Sequence, residues 1–216
     1  MIERLRVSLP DADLLIVDDN SPDGTATIAM DLAGVDPQVR VTVREHERGL
    51  GSAIRRAMSE AIEHSYDYFL NLDGDLSHDP AQLPALLERA IANPEIDVVV
   101  GSRYVAGGNI VGWPLRRRIM SRMVNSFATL CLRLPVKDCS GSMRCYRVDS
   151  LSQLNLGDWN CRGYALLEEL LVLLDRRGAV MAEVPITFTE RQQGQSKLTL
   201  REAARSAFQI FRLAFK

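Results

Sequence analysis

Tyr68-Phe-Leu-Asn-Leu-Asp-Gly-Asp-Leu-Ser-His-Asp-Pro80 is the stretch on which the prediction of the fold depends. Its apolar start is typical of a buried strand, and the strand ends in two carboxylates, Asp73 and Asp75, with one glycine between them. The glycine permits a tight turn, so both side chains can point into one crevice. Two hard oxygen ligands suit Mg²⁺ or Mn²⁺, which complete their coordination with water and substrate phosphates. An isolated Asp-x-Asp is also a common surface turn, so the rest of the chain must distinguish the two interpretations.

Length, composition and charge limit the possible classes of protein. The chain has 216 residues, 46% of them hydrophobic, which predicts a single domain with a sizeable core. A net charge of −2 excludes a globally basic nucleic-acid binder, so we expect no nucleic-acid partner. Positive charge is nevertheless concentrated in residues 101–122, which contain no acid and these arginines: Arg103, Arg116, Arg117, Arg118 and Arg122.

Cysteine content and hydropathy indicate the cellular compartment of the protein. The four cysteines have neither metal-ligand spacing nor the density of a secreted scaffold, so we expect reduced, buried thiols in a cytoplasmic protein. No apolar run reaches the roughly 18–20 residues that span a bilayer, and no signal peptide is recognisable. Any membrane association is therefore expected to be peripheral, on the cytoplasmic face.

Strands and helices alternate along the first half of the chain. Strands are predicted at residues 13–19, 39–43, 68–72 and 97–101, and helices at 1–8, 25–33, 48–62 and 80–92. This alternation predicts an α/β fold with a mostly parallel sheet covered by helices on both faces. Ligands bind such sheets at the carboxyl ends of the strands, where Asp18, Asp19, Asp73 and Asp75 all lie.

The second half is less regular. Helices are predicted at residues 114–133 and 164–176, and strands at 143–147 and 180–189. Pro185 lies inside the last strand, which indicates an edge strand or a bulge. A polar loop at 191–197 precedes an amphipathic helix at 200–216, whose apolar face either lies on a membrane surface or packs on the domain.

Seven short motifs occur in a characteristic order: VDDNSPDGT, RGLGSA, DGDLSHDP, VVGSRYVAGG, VKDCSGSMRCY, EVPITFTER and GQSKL. Together they resemble the dolichyl/polyprenyl-phosphate mannose synthases of glycosyltransferase family 2, over nearly the whole chain. The resemblance implies a GT-A fold and the inverting transfer of a sugar, usually mannose from GDP-mannose, to the phosphate of a polyprenyl lipid. It implies one glycosyltransferase domain with a donor and metal half (1–110), an acceptor half (111–198) and the terminal helix (199–216).

The resemblance also implies roles for individual residues, among which Asp73, Asp75, Arg103 and Arg117 are the predicted catalytic residues. The predicted nucleotide-sugar residues are Asp18, Asp19, Ser21, Asp23, Gly49, Gly51 and Asp73. The predicted metal residues are Asp73, Asp75 and Ser77. The predicted acceptor-phosphate residues are Arg103, Arg117, Ser121, Arg191 and Lys197. The chemistry agrees, because a phosphate monoester is already largely a dianion at neutral pH and needs no general base.

Some positions depart from the family pattern and keep alternatives open. Ala165 and Leu167 replace more polar residues, and Ser142 and Met143 stand where a glycine and an aromatic are usual, changes that bear on the fit of the acceptor head or the sugar. The alternative is a related enzyme that uses another donor, such as UDP-glucose, on a similar lipid. The family also opens with a nucleotide-binding strand that precedes Met1, so we expect the strand at 13–17 to lack a neighbour on one edge. Loss of that strand would also be compatible with an inactive binding or scaffold relative. His78, beside a turn proline, is expected to be a capping or surface residue.

Overall fold

The computed structural model describes residues 1–46, 48–155 and 165–190, together with Leu213. The helices in this part of the chain are α1 Ile2–Ser8, α2 Thr25–Ala33, α3 Leu50–Glu63, α4 Leu83–Ala92, α5 Leu115–Leu132, α6 Val148–Ser152 and α7 Ala165–Asp175. The strands are β1 Leu14–Asp18, β2 Val39–Val43, β3 Tyr68–Asn71, β4 Val98–Ser102, β5 Asn109–Val111, β6 Arg144–Arg147, β7 Met181–Pro185 and β8 Thr187–Thr189.

Three groups of paired strands form the sheets. The largest has the order β3-β6-β4-β7, in which β6 is antiparallel to both its neighbours and β7 is parallel to β4. Parallel pairs also join β1 to β2 and β5 to β8. The predicted α/β class with mainly parallel pairing is therefore confirmed, and β6 is the antiparallel exception.

Strand β1 pairs along one edge only within the described residues. Its partner is β2, in a register that runs from Leu14 opposite Val39 to Asp18 opposite Val43. The residues between these ends are only half-buried, although they are apolar. The expected one-sided pairing of this strand is thus observed among the described strands.

The sheet is covered on both faces, as predicted. Alternate residues of β4 point to opposite sides: Val98 and Val100 belong to a core that includes Leu170 of α7, whereas Val99 belongs to a core that includes Leu86 of α4. This alternation follows from the two-residue period of a strand. Both cores therefore hold β4 in place, and its carboxyl end is a rigid position from which to present side chains.

Two features of the second half differ from the predictions. The strand predicted at 180–189 is two strands, because the chain bends at Ile186, which is 2% exposed and bonds through its N–H to the Ser102 carbonyl. Strand β7 does lie at the edge of its sheet, which agrees with Pro185 inside it. Strand β5 and helix α6, of three and five residues, were not predicted because elements so short have no visible period.

Candidate active site

Two predicted nucleotide-binding motifs meet at the carboxyl end of β1. The Asp19 carboxylate accepts a hydrogen bond from the Gly49 N–H at 2.7 Å, and it forms a hydrogen-bonded ion pair with the Arg44 guanidinium. Gly49 has a φ of 112°, which a residue with a side chain rarely adopts. Asp18 is 6% exposed and accepts a hydrogen bond from the Ser21 N–H at 2.8 Å. These contacts bring Asp18, Asp19, Ser21 and Gly49 together at one edge.

Asp23 and Gly51 have local structural contacts in the same region. The Asp23 carboxylate accepts hydrogen bonds from the backbone and the hydroxyl of Thr25, at 3.0 and 2.7 Å, and these bonds lower its pKa. Asp23 thus orders the turn that precedes α2, whose N-cap residue is Gly24. Gly51 is buried in the first turn of α3. Their predicted contact with a nucleotide stays a prediction.

Arg44 is a buried residue that the sequence patterns did not single out. Besides Asp19 it donates to the Ser52 hydroxyl at 2.6 Å and to the Gly49 carbonyl at 3.2 Å. Its position directly after β2, at the edge where the other strands end, is the feature that would have identified it.

Asp73 and Asp75 lie in the turn that follows β3. The Asp75 carboxylate accepts hydrogen bonds from the backbone and hydroxyl of Ser77, at 3.0 and 2.5 Å, so Ser77 orients this acid. The Asp73 side chain is 33% exposed and lies 3.9 Å from His78 Nδ1. Both acids therefore remain accessible to solvent, while the buried Ser77 orders the turn that carries them.

The donor set at this turn suits Mg²⁺ or Mn²⁺. Across the described residues, no cluster of three or more His, Cys, Asp and Glu side chains is arranged to hold a metal, so the protein would supply two carboxylates. Magnesium in particular is commonly held by one or two carboxylates and takes its other ligands from water and phosphates. Asp73 and Asp75 fit an ion whose remaining ligands are water and the oxygens of a bound diphosphate.

His78 is buried, which contradicts the expected surface or capping position. It is 2% exposed, neither ring nitrogen has a hydrogen-bond partner, and Asp79 is the residue that caps the following turn. Burial lowers the pKa of His78, although the Asp73 carboxylate acts in the opposite direction. Its ring packs edge-on against Phe188 of β8, with centroids 5.2 Å apart.

Strand β8 is fastened to the turn that follows the two acids. The Thr189 N–H donates to the Ser77 carbonyl at 2.9 Å, and the side chain of Gln82 bonds both the N–H and the carbonyl of Thr187. His78 also forms a backbone bridge with Phe188. The acid-bearing turn and the second half of the chain are therefore joined at this strand.

Arg103 forms a buried ion pair with Asp138. Its Nε and Nη2 donate to the two carboxylate oxygens at 2.7 and 2.8 Å, and Asp138 is fully buried. Burial lowers the pKa of Arg103, but Asp138 outweighs this and holds it above its ordinary value. Burial likewise raises the pKa of Asp138, and Arg103 overrides that effect to hold it below the usual range. The fork predicted to grip a phosphate is thus engaged within the protein.

Arg117 has a more exposed partner. Its Nη1 donates to Glu190 Oε1 at 2.6 Å, and its guanidinium carbon lies 4.0 Å from the centroid of the Trp113 ring. Trp113 contacts Phe188, with centroids 5.3 Å apart. Contacts therefore run without interruption from Asp73 through His78, Phe188 and Trp113 to Arg117.

The three predicted acceptor residues in the described part of the chain lie close together. Ser121 is one helical turn after Arg117, on the same face of α5, and its hydroxyl is 2.8 Å from the hydroxyl of Tyr104. Tyr104 in turn lies beneath the Arg103 guanidinium, 5.2 Å from it. Arg191, Lys197 and almost all of the predicted terminal helix lie outside the described residues.

A buried polar cluster lies behind these arginines. Arg144 is fully buried and donates to the carbonyls of Cys139 and Leu167, and the Glu168 carboxyl has an oxygen without a hydrogen-bond partner. Burial raises the pKa of Glu168 to about 7. Cys139 and Cys145 are buried thiols whose pKa is raised by burial, as expected for core residues.

Comparison with known proteins identifies relatives over most of the chain. Residues 1–154 match the family described as Glycosyl transferase family 2. An undecaprenyl-phosphate mannosyltransferase of Micrococcus luteus is 39% identical over 196 residues, which cover 91% of this chain and 79% of that protein. A polyprenol monophosphomannose synthase of Mycolicibacterium smegmatis is 35% identical over 207 residues, which cover 94% and 77%.

Solved structures resemble the fold. Glucosyl-3-phosphoglycerate synthase from Mycobacterium tuberculosis, in complex with UDP, superposes with a TM-score of 0.67 at 18% identity, over 99% of this chain and 75% of that one. The same enzyme with Mn²⁺ and UDP-glucose gives 0.67 at 22% identity, over 98% and 72%. At this identity the likeness establishes the fold alone.

Among the described helices, none is long and apolar enough to cross a membrane.

Proposed function

The chain belongs to glycosyl transferase family 2, and we propose that it transfers mannose from GDP-mannose to the phosphate of a polyprenyl lipid. The observation that carries the proposal is the 39% identity, over 91% of the chain, to a protein named as an undecaprenyl-phosphate mannosyltransferase. The arrangement of the site supports it, because two carboxylates suited to a metal diphosphate are connected through His78, Phe188 and Trp113 to Arg117, whose guanidinium suits a second phosphate.

The residues of the site have separable tasks in this reaction. Asp73 and Asp75 would hold a divalent ion, Mg²⁺ or Mn²⁺, which would stabilise the charge on the leaving diphosphate. A complex of the similar synthase with Mn²⁺ and UDP-glucose supports a divalent ion. Asp18 and Asp19, held at the end of β1, would contact the nucleotide.

The acceptor needs positioning more than activation. A phosphate monoester carries about −1.5 to −2 charges at neutral pH, so its oxygen is already a nucleophile. Arg117 presents a partly exposed guanidinium, and Ser121 has its hydroxyl one turn further along α5. Arg103, neutralised by Asp138, supports this arrangement through Tyr104. Arg117 and Ser121 would bring the acceptor anion close to the donor without a general base.

Helix α5 also provides the surface for a membrane. Only Asn125, Ala128 and Leu132 of its 18 residues are buried. Its exposed large apolar residues are Leu115, Ile119, Met120, Met123, Phe127 and Leu130. The helix contains no acid, and Arg116, Arg118 and Arg122 are exposed among these apolar side chains. Such a helix suits an anionic lipid surface, where apolar residues enter the headgroup region and arginines meet phosphates. We place the protein peripherally at the cytoplasmic face, with α5 next to the lipid.

A transfer assay tests the proposed function. The purified chain is incubated with undecaprenyl phosphate and either GDP-mannose or UDP-glucose, with Mn²⁺ or Mg²⁺ present, and the lipid product is identified by mass spectrometry. We expect mannosyl lipid from GDP-mannose and a metal requirement. Transfer from UDP-glucose alone would replace the donor assignment. Absence of both transfer and donor binding would favour the scaffold alternative.

A further inference from the structure

We propose that Glu190 is an internal competitor that occupies Arg117 until the phosphate of the acceptor displaces it. The inference rests on the proposed function, because it takes the ligand of Arg117 to be a phosphate monoester. Glu190 Oε1 accepts the hydrogen bond from Arg117 Nη1 at 2.6 Å. A carboxylate therefore sits on the guanidinium where the proposed reaction needs a phosphate.

The backbone places Glu190 at this position. Its N–H donates to the Val111 carbonyl at 3.0 Å, which continues the pairing of β8 with β5 by one residue. Gly112 has a φ of 88°, and a Cβ on it would lie 2.9 Å from the Glu190 Cβ, so this close approach requires a glycine. Glu190 therefore packs closely against the turn that leads into α5, and its carboxylate lies within hydrogen-bonding distance of Arg117.

The ion pair of Arg117 and Glu190 is partly exposed, so another anion can take the place of the Glu190 carboxylate. The side chains of Arg117 and Glu190 are 25% and 38% exposed, whereas those of Arg103 and Asp138 are 7% and 0% exposed. Partly exposed ion pairs contribute little to stability, while a buried pair cannot lose one partner without a large penalty. A phosphate dianion can therefore replace Glu190 at Arg117, but it cannot replace Asp138 at Arg103.

Trp113 holds Arg117 in place during such an exchange. The guanidinium lies over the indole ring at 4.0 Å, a contact that does not depend on Glu190. Phe188 packs edge-on against the indole, at 5.3 Å between centroids. Arg117 therefore keeps its orientation when its anionic partner changes, and the carboxylate is the group that has to move.

The test measures the dissociation constant of farnesyl phosphate without any donor, by isothermal titration calorimetry. Glu190→Gln keeps the size of the side chain and removes its charge, so we expect affinity to rise about three- to tenfold, the range expected from losing one competing ion pair next to a dianion. Glu88→Gln removes the same charge from an exposed position on α4 and serves as the matched control, for which we expect no change. Circular dichroism verifies that each variant is folded.

A double mutant separates competition from a general charge effect. In an Arg117→Ala background the Glu190→Gln change should have no effect on affinity, because the contested group is gone. Unchanged or weaker binding by Glu190→Gln alone would overturn the inference, and weaker binding would mean that Glu190 orients Arg117 for the phosphate. These outcomes concern acceptor binding only. If the parent protein transfers no mannose and Glu190→Gln still tightens binding, the proposed function fails while the competition stands.

Discussion

Replacing Asp138 by Asn should destabilise the protein strongly, because it leaves a buried arginine without a counter-charge. Asp138 is fully buried and accepts two bonds from the Arg103 side chain, at 2.7 and 2.8 Å, and one from its backbone at 3.0 Å. Breaking one partner of a buried pair typically costs about 3–5 kcal/mol. Asparagine retains one acceptor oxygen, so we expect about 3 kcal/mol, at the lower end of that range. Urea unfolding followed by circular dichroism measures the loss.

Two comparisons make this prediction specific. Arg103→Met combined with Asp138→Asn removes both charges, so the double variant should recover at least half of the lost stability. Arg4→Met breaks the pair with Asp79, in which both side chains are exposed, at 56% and 48%, and should cost less than about 1 kcal/mol. If Asp138→Asn is no more damaging than Arg4→Met, or if the double variant is as unstable as the single one, the buried charge is not what Asp138 compensates.

Three further predictions concern metal, pH and membrane. Asp75→Asn should abolish metal-dependent binding of GDP-mannose in calorimetry, while the thermal melting temperature changes little. If the variant binds the donor as tightly as the parent protein, Asp75 is not a metal ligand. Because the folded-state pKa of Glu168 is raised to about 7, the free energy of unfolding should fall as pH rises from about 4.5 to 7. Glu168→Gln should remove this decline when urea unfolding is compared at pH 5 and pH 8. An unaltered pH profile would mean that Glu168 is not the buried acid responsible. Met123→Glu on α5 should weaken co-sedimentation with anionic vesicles at least threefold, whereas Ile91→Glu, at an exposed apolar position on α4, should not weaken it. Equal effects of the two variants, or a change in oligomeric state instead, would contradict the membrane assignment.

The parts of the fold that have a strong local pattern could be predicted from the sequence. Helix α2 and strand β2 begin and end at the predicted residues, and α3 follows its apolar stripe. The pair Asp73 and Asp75 was located because an apolar run ends in acids, a pattern visible without any tertiary contact.

The parts that depend on distant contacts could not be predicted. Arg103 acquires its partner Asp138 from a loop 35 residues further along the chain. His78 is buried because Phe188, which lies more than 100 residues later, packs against it. In sequence, the first looks like a free arginine and the second like a turn residue. Tertiary packing decides which of the predicted groups remain available to a ligand.

The fastening of β8 to the turn after the two acids also limits how this protein can be recombined with its relatives. The turn contributes Ser77, His78 and Gln82, and β8 contributes Thr187, Phe188 and Thr189, so the interface is built from two segments that are remote in the chain. A chimera that replaced β8 with a relative's segment and kept the turn unchanged would keep the bonds of Gln82 only if the backbone of β8 stayed in place, and it would lose the packing of His78 if residue 188 were no longer aromatic. If the second half of the chain sets acceptor preference, as proposed, residues 77–82 and 187–190 should be transplanted together, even when the donor side is meant to stay unchanged.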